Sequence, residues 1–171
     1  DINSIRNSLL SKSVDNFLKN ITDNQSADFK KFCKKNKYWL DDFALFNVLQ
    51  EILNEEQWIR WPDYYKLLDK NHINSFIIKY KNKIKSVKVL QYLYYKQWND
   101  LKLYANSKGI QIIGDIPIYV SMNSVDVWIN QNLFKLNQNG EMLMQSGCPP
   151  DYFIKTGQVW GHPIYDWPNH K

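Results

Sequence analysis

The clearest candidate for chemistry is Asp115, which places a carboxylate inside an almost wholly apolar run over residues 110–120. One interpretation is a charged residue at the end of a strand, held there by hydrogen bonds. The other is an active-site carboxylate at the carboxyl end of a barrel strand, where barrel enzymes carry their chemistry. The local sequence gives the two interpretations equal weight.

The segment that follows, residues 121–167, is predicted to be a long loop with a high aromatic content. Its aromatic residues are Trp128, Phe134, Tyr152, Phe153, Trp160, Tyr165 and Trp167. Aromatic rings can cover the apolar C–H faces of a pyranose while Asp and Asn side chains bond its hydroxyls. Most aromatic side chains belong to cores, so this content alone indicates carbohydrate recognition weakly. A long ordered loop is nevertheless typical of a functional segment.

A buried strand over residues 109–120 is predicted to position Asp115 and the loop. β-branched and aromatic residues dominate the run, as in a pleated strand. The run is apolar almost throughout rather than alternating, which is typical of a parallel sheet covered on both faces. Gly114 within it indicates a bulge or the close approach of another backbone.

The segment before this strand is predicted to be mostly helical. A polar, broken stretch over residues 1–25 precedes a helix that Ser26 caps and that ends near Asn36. Residues 38–40 are predicted to form a connector, and Asp41 to begin the next amphipathic helix.

A long helix is predicted over residues 73–107, because apolar and aromatic residues repeat there at intervals of three and four and indicate a core-facing stripe. The stripe comprises Tyr80, Ile84, Val87, Leu90, Tyr94, Trp98, Leu101 and Ala105. Gly109 suits the left-handed cap that ends such a helix. Helix, glycine and apolar strand together form the αβ unit that a barrel requires.

Other residues with chemical potential are better explained as structural. Asp41 and Asp42 are adjacent and point apart on a helix, so we interpret them as partners of the helix dipole rather than a catalytic pair. His72 has no second histidine at metal-ligand spacing. Cys33 and Cys148 lack CxxC spacing, so we predict no metal, no redox site and no cofactor.

Charge and hydropathy restrict the class of partner. The net charge of +5 comes from 22 basic and 17 acidic residues. The lysines are dispersed rather than clustered, which argues against nucleic acid. The start does not resemble a signal peptide, and no apolar run is long enough to span a bilayer. We therefore expect a cytoplasmic protein with no membrane partner.

Eight segments stand out as motifs in a fixed order: FCKKNKYWLDDFALF, QWNDLKLYANSKGI, IIGDIPIYV, NSVDVW, LFKLNQNGE, PPDYF, TGQVWG and HPIYDW. Together they resemble the 4-α-glucanotransferase family (amylomaltase or disproportionating enzyme, glycoside hydrolase family 77). The resemblance covers the chain from about residue 29 to its end. Several motifs in register are a much stronger indication than any one of them.

The resemblance implies an α/β fold, as part of a (β/α)₈ TIM barrel with a largely helical inserted subdomain. With 171 residues the chain is shorter than the roughly 250 of a whole barrel. We therefore expect a fragment of one catalytic domain. Residues 1–108 would be its helical support, and residues 109–171 a barrel strand with a substrate-facing loop.

The activity implied by the resemblance is retaining transfer of α-1,4-glucan segments to glucose or glucan acceptors. This chemistry uses two carboxyl groups about 5 Å apart. The family carries its catalytic carboxylates in R-x-D, G-E-D-L-G and H-D motifs, and none of these occurs in the sequence. We assign no catalytic residue, and we expect the chain alone to be inactive and to require the remainder of the polypeptide.

The resemblance does imply residues that bind maltooligosaccharide. Asp115 corresponds to an aspartate on the pocket floor that bonds the sugar nearest the cleavage point. Asp151 would bond hydroxyls or hold its loop, while Tyr152 and Phe153 would supply ring faces. Trp160 would either line the groove or pack beneath it.

Three residues depart from the family pattern, and two other functions stay open. Asn123 stands where an acidic residue is more usual, Cys148 where an aliphatic one is, and His162 where asparagine is. The alternatives are an α-glucan hydrolase of the same clan and a non-catalytic carbohydrate-binding module.

Overall fold

A computed structural model describes residues 2–170, most of which are helical. The helices are α1 (Ile2–Asn20), α2 (Asp23–Lys35), α3 (Lys37–Leu53), α4 (Asp63–Lys66), α5 (Lys70–Lys79), α6 (Lys81–Ser107) and α7 (Val125–Ile129). Short 3₁₀ turns lie at Trp58–Arg60, Gln131–Leu133 and Trp167–Asn169. The strands β1 (Gln145–Cys148) and β2 (Gln158–Pro163) pair antiparallel. No helix in this range has the length and apolar character needed to cross a membrane.

The chain divides into two compact units. The first contains the residues up to Val48 together with Ile77–Gly114. The second contains Leu49–Phe76 together with the residues from Asp115 onward. Both strands and the 3₁₀ turns therefore belong to the second unit.

An aromatic core holds the first unit together where α1 and α2 pack on α6. Val14, Phe29, Val89 and Tyr92 are buried there. The Tyr92 ring lies 5.5 Å from that of Phe29, edge to face, and 5.6 Å from that of Phe17. Edge contacts of this kind stabilise a core beyond the burial of area alone.

The long predicted helix occurs as α5 and α6, which are separated at Tyr80. Gly109, with φ of +76°, follows the end of α6, and this confirms the predicted left-handed residue. The predicted core stripe is wrong in its C-terminal half, where Tyr94, Trp98 and Leu101 are exposed. The helix has apolar residues on two faces, and α1 and α2 cover the one that carries Val89 and Tyr92.

Two predictions for the N-terminal segment are wrong. Residues 1–25 are not broken, because α1 occupies most of them. Residues 38–40 are not a connector, because α3 already begins at Lys37. Leu40 and Ala44, one helical turn apart, are both fully buried, so the apolar stripe of α3 extends back through this segment.

The N-cap of α2 is Thr22, and the prediction of Ser26 is wrong. The Thr22 hydroxyl accepts a hydrogen bond from the Gln25 backbone N at 3.3 Å. The Gln25 side-chain oxygen accepts one from the Thr22 backbone N at 3.0 Å. This reciprocal capping box satisfies two amides that would otherwise lack a partner, which explains why the helix starts one turn earlier.

A small charged cluster joins α3 to α6 within the first unit. Lys88 Nζ donates to Asp41 Oδ1 at 2.5 Å. The neighbouring Asp42 is partly buried, and this burial, together with the Asp41 charge, raises its pKa from the usual 3.8, while Lys88 opposes the shift. Its ionisation therefore disfavours the folded state.

We expect Asp42→Asn to stabilise the protein more at pH 7 than at pH 4. Because the folded state raises the pKa of Asp42, protonation of this carboxyl stabilises the folded state at low pH. This stabilisation is lost as the pH rises through the raised pKa. An asparagine keeps the neutral form at every pH. Urea unfolding at both pH values measures the difference, with the exposed Asp100→Asn as control. Equal stability differences for Asp42→Asn at the two pH values would contradict the explanation.

The described residues form no strand over the predicted range 109–120. Ile113, Ile116 and Ile118 are 91%, 84% and 79% exposed. A parallel strand obtains its hydrogen bonds from neighbouring strands on both sides. Among the described residues the only sheet is the pair β1–β2, which offers this segment no partner.

The segment predicted as one long loop contains regular structure in the second unit. Helix α7 begins after Ser124, whose hydroxyl accepts a hydrogen bond from Val127 N. Gly147 pairs with Val159 in the hairpin, and a Cβ at Gly147 would lie 2.4 Å from the Gln158 carbonyl oxygen. Only glycine allows the two strands to approach this closely.

Candidate functional site

The second unit contains an open cavity of about 430 Å³. Three separate stretches of the chain line it, and several of the lining residues can form hydrogen bonds. They are Glu56, Gln57, Trp58, Ile59, Ser121, Met122, Asn123, Trp160, Gly161 and His162.

Trp58 lines the cavity and is held in place by hydrogen bonds to two other lining residues. It is 1% exposed, and its indole Nε1 donates to the Met122 carbonyl oxygen at 2.8 Å. Its backbone N donates to Asn123 Oδ1 at 3.3 Å. A Cβ at Gly140 would lie 2.8 Å from the indole ring, so only glycine fits against it. These contacts join the stretches around residues 58 and 122.

The third stretch is β2, which presents Trp160 and His162 to the cavity. Both residues line it, although the irregular pairing between Val159 and Pro163 and the positive φ of Gly161 (+72°) interrupt the regular alternation of the strand between them. The Tyr119 ring lies parallel to that of His162 at a centroid distance of 6.2 Å and tilted to that of Trp160 at 6.4 Å. Trp160 Nε1 donates to the Gln158 side-chain oxygen at 2.9 Å, and the residue is 45% exposed.

The cavity combines apolar ring surface with polar groups of mixed type. Glu56 supplies acceptors, Gln57 and Asn123 supply amides, Ser121 supplies a hydroxyl and His162 an imidazole. The lining contains no lysine or arginine. Such a set suits a neutral ligand with many hydroxyl groups better than an anion.

A second feature of the same unit is the exposed aromatic pair Tyr152 and Phe153, which are 92% and 87% exposed. Their rings meet edge to face at 5.4 Å. Asp151 Oδ1 accepts hydrogen bonds from the backbone N atoms of Phe153, at 2.9 Å, and Ile154, at 2.7 Å. The carboxylate therefore holds the turn that displays the two rings.

Gly157 closes the base of this loop with φ of +71°. A Cβ there would lie 2.7 Å from the Cys148 carbonyl oxygen and 3.2 Å from the backbone of the proline pair. The loop therefore returns against its own start. This geometry keeps the aromatic pair on a short, closed turn.

Asp115 is exposed, and its Oδ1 accepts a hydrogen bond from the Ile116 backbone N at 2.7 Å. Of the predicted binding residues only Trp160 lines the cavity; Asp115, Asp151, Tyr152 and Phe153 do not. The structure thus places the predicted residues at separate positions rather than in one site.

Sequence reasoning missed Glu56, Gln57 and Ser121 as lining residues. None of them belongs to a recognisable motif, so the sequence carried no signal for them. Asn123 and His162 were noticeable only as departures from the family pattern, and both line the cavity. Across residues 2–170, no group of three or more His, Cys, Asp or Glu side chains is arranged to hold a metal ion.

Comparison with known proteins gives the family. A sequence model of the family described as 4-alpha-glucanotransferase matches residues 1–171. The chain belongs to this family. The 4-alpha-glucanotransferase of Clostridium butyricum is 46% identical over 160 residues, and that of Streptococcus pneumoniae is 41% identical over 163. These matches cover 93% and 95% of the chain.

A solved structure agrees with the family assignment. The amylomaltase from Streptococcus agalactiae in complex with acarbose superposes on the present chain with a TM-score of 0.89 at 40% sequence identity, and the match covers 96% of the chain. The chain spans 33% of that structure and 32% of each of the two relatives above. It thus corresponds to about a third of these proteins' length.

Proposed function

We propose that the complete protein containing this chain is a 4-α-glucanotransferase that moves α-1,4-glucan segments between maltooligosaccharides with retention. The observation that carries the proposal is the family match over the whole chain. The superposition on an amylomaltase solved with acarbose supports it. We further propose a cytoplasmic location.

The chain's place in the fold is part of the proposal. Residues 109–120 would become a barrel strand when neighbouring strands from the rest of the polypeptide bond to it. Their exposed isoleucines support this, because such apolar surface is buried in parallel sheets. Residues 1–108 would support the barrel, and residues 109–171 would contribute the strand and the substrate-facing segment of one catalytic domain.

Five residues of this chain would bind the glucan. The free oxygen of Asp115 would bond the sugar nearest the cleavage point, and Tyr152 and Phe153 would cover sugar ring faces. Their high exposure leaves both rings available. Asp151 would hold their loop through the two backbone hydrogen bonds or would bond hydroxyls. Trp160 would offer the exposed part of its indole.

Incubation of the complete protein with maltotriose tests the proposed activity. A transferase produces both longer and shorter oligosaccharides without a net gain of reducing ends, and chromatography with a reducing-end assay detects both. A net gain of reducing ends would indicate a hydrolase instead. The 171-residue chain alone is expected to give neither result, because it contains none of the R-x-D, G-E-D-L-G or H-D motifs. Turnover by this chain alone would contradict the assignment of catalysis to residues outside it.

A further inference from the structure

We propose that an open cavity of about 460 Å³ between α2 and α6, within the first unit, binds a small organic phosphate that carries a planar ring. This is the chemistry of a nucleoside monophosphate. Lysines supply the positive charge of the cavity, and aromatic residues supply its apolar surface. Its volume lies within the range of about 300–1,000 Å³ that is usual for small-molecule sites. The inference goes beyond the proposed function and does not depend on it.

Positive charge converges on this cavity from both helices. Lys31 and Lys35 lie one helical turn apart on α2, and Lys96 lies on α6. All three side chains are exposed, and none of them forms an ion pair within residues 2–170. Asp28 is the only acidic residue among the described residues of the lining. The lysines therefore leave an excess of positive charge, which favours an anionic ligand.

The helix dipole alone does not account for these lysines. A lysine in the last turn of a helix interacts favourably with the dipole, and this explains Lys35 near the end of α2. It does not explain Lys31, one turn earlier, or Lys96, in the interior of α6. Lysine spacing along the chain does not reveal the cluster, because its members belong to two helices and only folding brings them to one cavity.

Packed aromatic residues hold the apolar part of the lining in place. The Phe32 ring lies 5.6 Å from that of Tyr92 and 5.5 Å from that of Tyr95. Trp39 contacts Tyr95 as well, at a centroid distance of 5.7 Å. Tyr92 is buried, whereas Tyr95 is half-buried and lines the cavity, so it is partly accessible to a ligand. A planar ring can stack on such a preorganised aromatic side chain with little rearrangement.

The polar groups of the lining suit the hydroxyls of a sugar that joins ring and phosphate. Asp28 supplies acceptors, and the exposed Asn99 amide can both donate and accept. Asn36 is already engaged, because its Nδ2 donates to the Phe32 carbonyl oxygen at 2.9 Å and its Oδ1 accepts from Trp39 Nε1 at 3.2 Å. A neutral glucan offers no negative charge to the three lysines, and for this reason the lining favours a phosphate.

Calorimetric titration of AMP into the complete protein tests the proposal, with inorganic phosphate and adenosine as the component ligands. AMP is expected to bind at one site, and more tightly than either component. Lys31→Ala and Lys96→Ala are each expected to weaken the binding of AMP and of inorganic phosphate about tenfold. Tyr95→Leu keeps an apolar side chain but removes the ring. It is expected to weaken AMP binding about fivefold and to leave phosphate binding unchanged.

Lys85→Ala is the matched control, because it removes an exposed lysine from α6 that does not line the cavity. It is expected to leave AMP binding unchanged. Circular dichroism checks that each variant is folded, and the two lysine variants, at exposed positions, decide the matter if Tyr95→Leu is not folded.

Several results would overturn the proposal. The first is no measurable binding of AMP, and the second is an AMP isotherm that neither Lys31→Ala nor Lys96→Ala changes. Equal weakening by Lys85→Ala and Lys96→Ala would mean general attraction to a basic protein rather than a site. Displacement of AMP by maltotriose would assign the cavity to a neutral sugar. Equal affinities for AMP and inorganic phosphate would reject the role of the planar ring.

Discussion

Replacement of Trp128 by alanine is expected to lower the free energy of unfolding by about 3–5 kcal/mol. Trp128 is fully buried in the second unit, where its ring meets Trp61 edge to face at 5.4 Å. Its Nε1 donates to the Tyr65 carbonyl oxygen at 3.1 Å. Alanine would leave a large cavity, which accounts for most of the expected cost, and would remove one of the donors to the partly buried Tyr65 carbonyl, which also accepts from Leu68 N.

Urea unfolding followed by circular dichroism measures this effect. Trp98→Ala serves as the control, because it removes the same side chain from a partly exposed position on α6. Its cost is expected to be well below that of Trp128→Ala, since less surface returns to water and a cavity need not form. Equal costs for the two variants would contradict the role of Trp128 as the centre of this core.

Trp128 also shows the limit of assigning aromatic residues from sequence. The sequence places it among the aromatic residues of the predicted substrate-facing loop. The structure buries it completely, whereas Tyr152 and Phe153 in that segment are almost fully exposed. Composition cannot separate the two cases, because the separation depends on α7 packing against residues more than sixty positions earlier, such as Tyr65.

Helices were predictable where local signals decide them. The end of α2 near Asn36 and the left-handed Gly109 after α6 follow from composition and backbone preference. The start of α3 was not predictable in this way. It depends on the burial of Leu40, which is a tertiary contact rather than a local propensity.

The strand predicted over residues 109–120 is absent from the described residues for a related reason. Its β-branched composition favours an extended chain, and the segment is indeed not helical. A strand, however, is completed by hydrogen bonds to other strands, and those partners are not supplied by residues 2–170. The composition therefore indicates a preference for β-strand that residues 2–170 cannot satisfy by themselves.

The candidate cavity was predicted as a binding site only through Trp160 of the TGQVWG motif, although Asn123 and His162 also belong to motifs, NSVDVW and HPIYDW. Its other walls come from stretches that folding brings together. The contact between the Trp58 backbone N and Asn123 Oδ1 joins residues 65 positions apart. No periodicity or spacing in a single sequence encodes such a pairing, so Glu56 and Gln57 could not have been selected beforehand.

The second large effect is expected from replacement of Asp115, and it concerns activity rather than stability. In the complete protein, Asp115→Asn and Asp115→Ala are each expected to lower kcat/KM for maltotriose disproportionation by about 10–100-fold, the cost of losing a hydrogen bond to a charged group. One carboxylate oxygen is already bonded to the Ile116 backbone N, so the other is the one available to a sugar hydroxyl.

The two variants distinguish binding from local structure. Asparagine preserves an acceptor for the Ile116 N but removes the charge, whereas alanine removes both. A similar loss in both variants, with Asp100→Asn at wild-type activity, would mean that the charge acts on the sugar. If Asp115→Asn retained wild-type activity and only alanine lost it, the carboxylate would serve the turn at Ile116, and the structural interpretation of this residue would be the correct one.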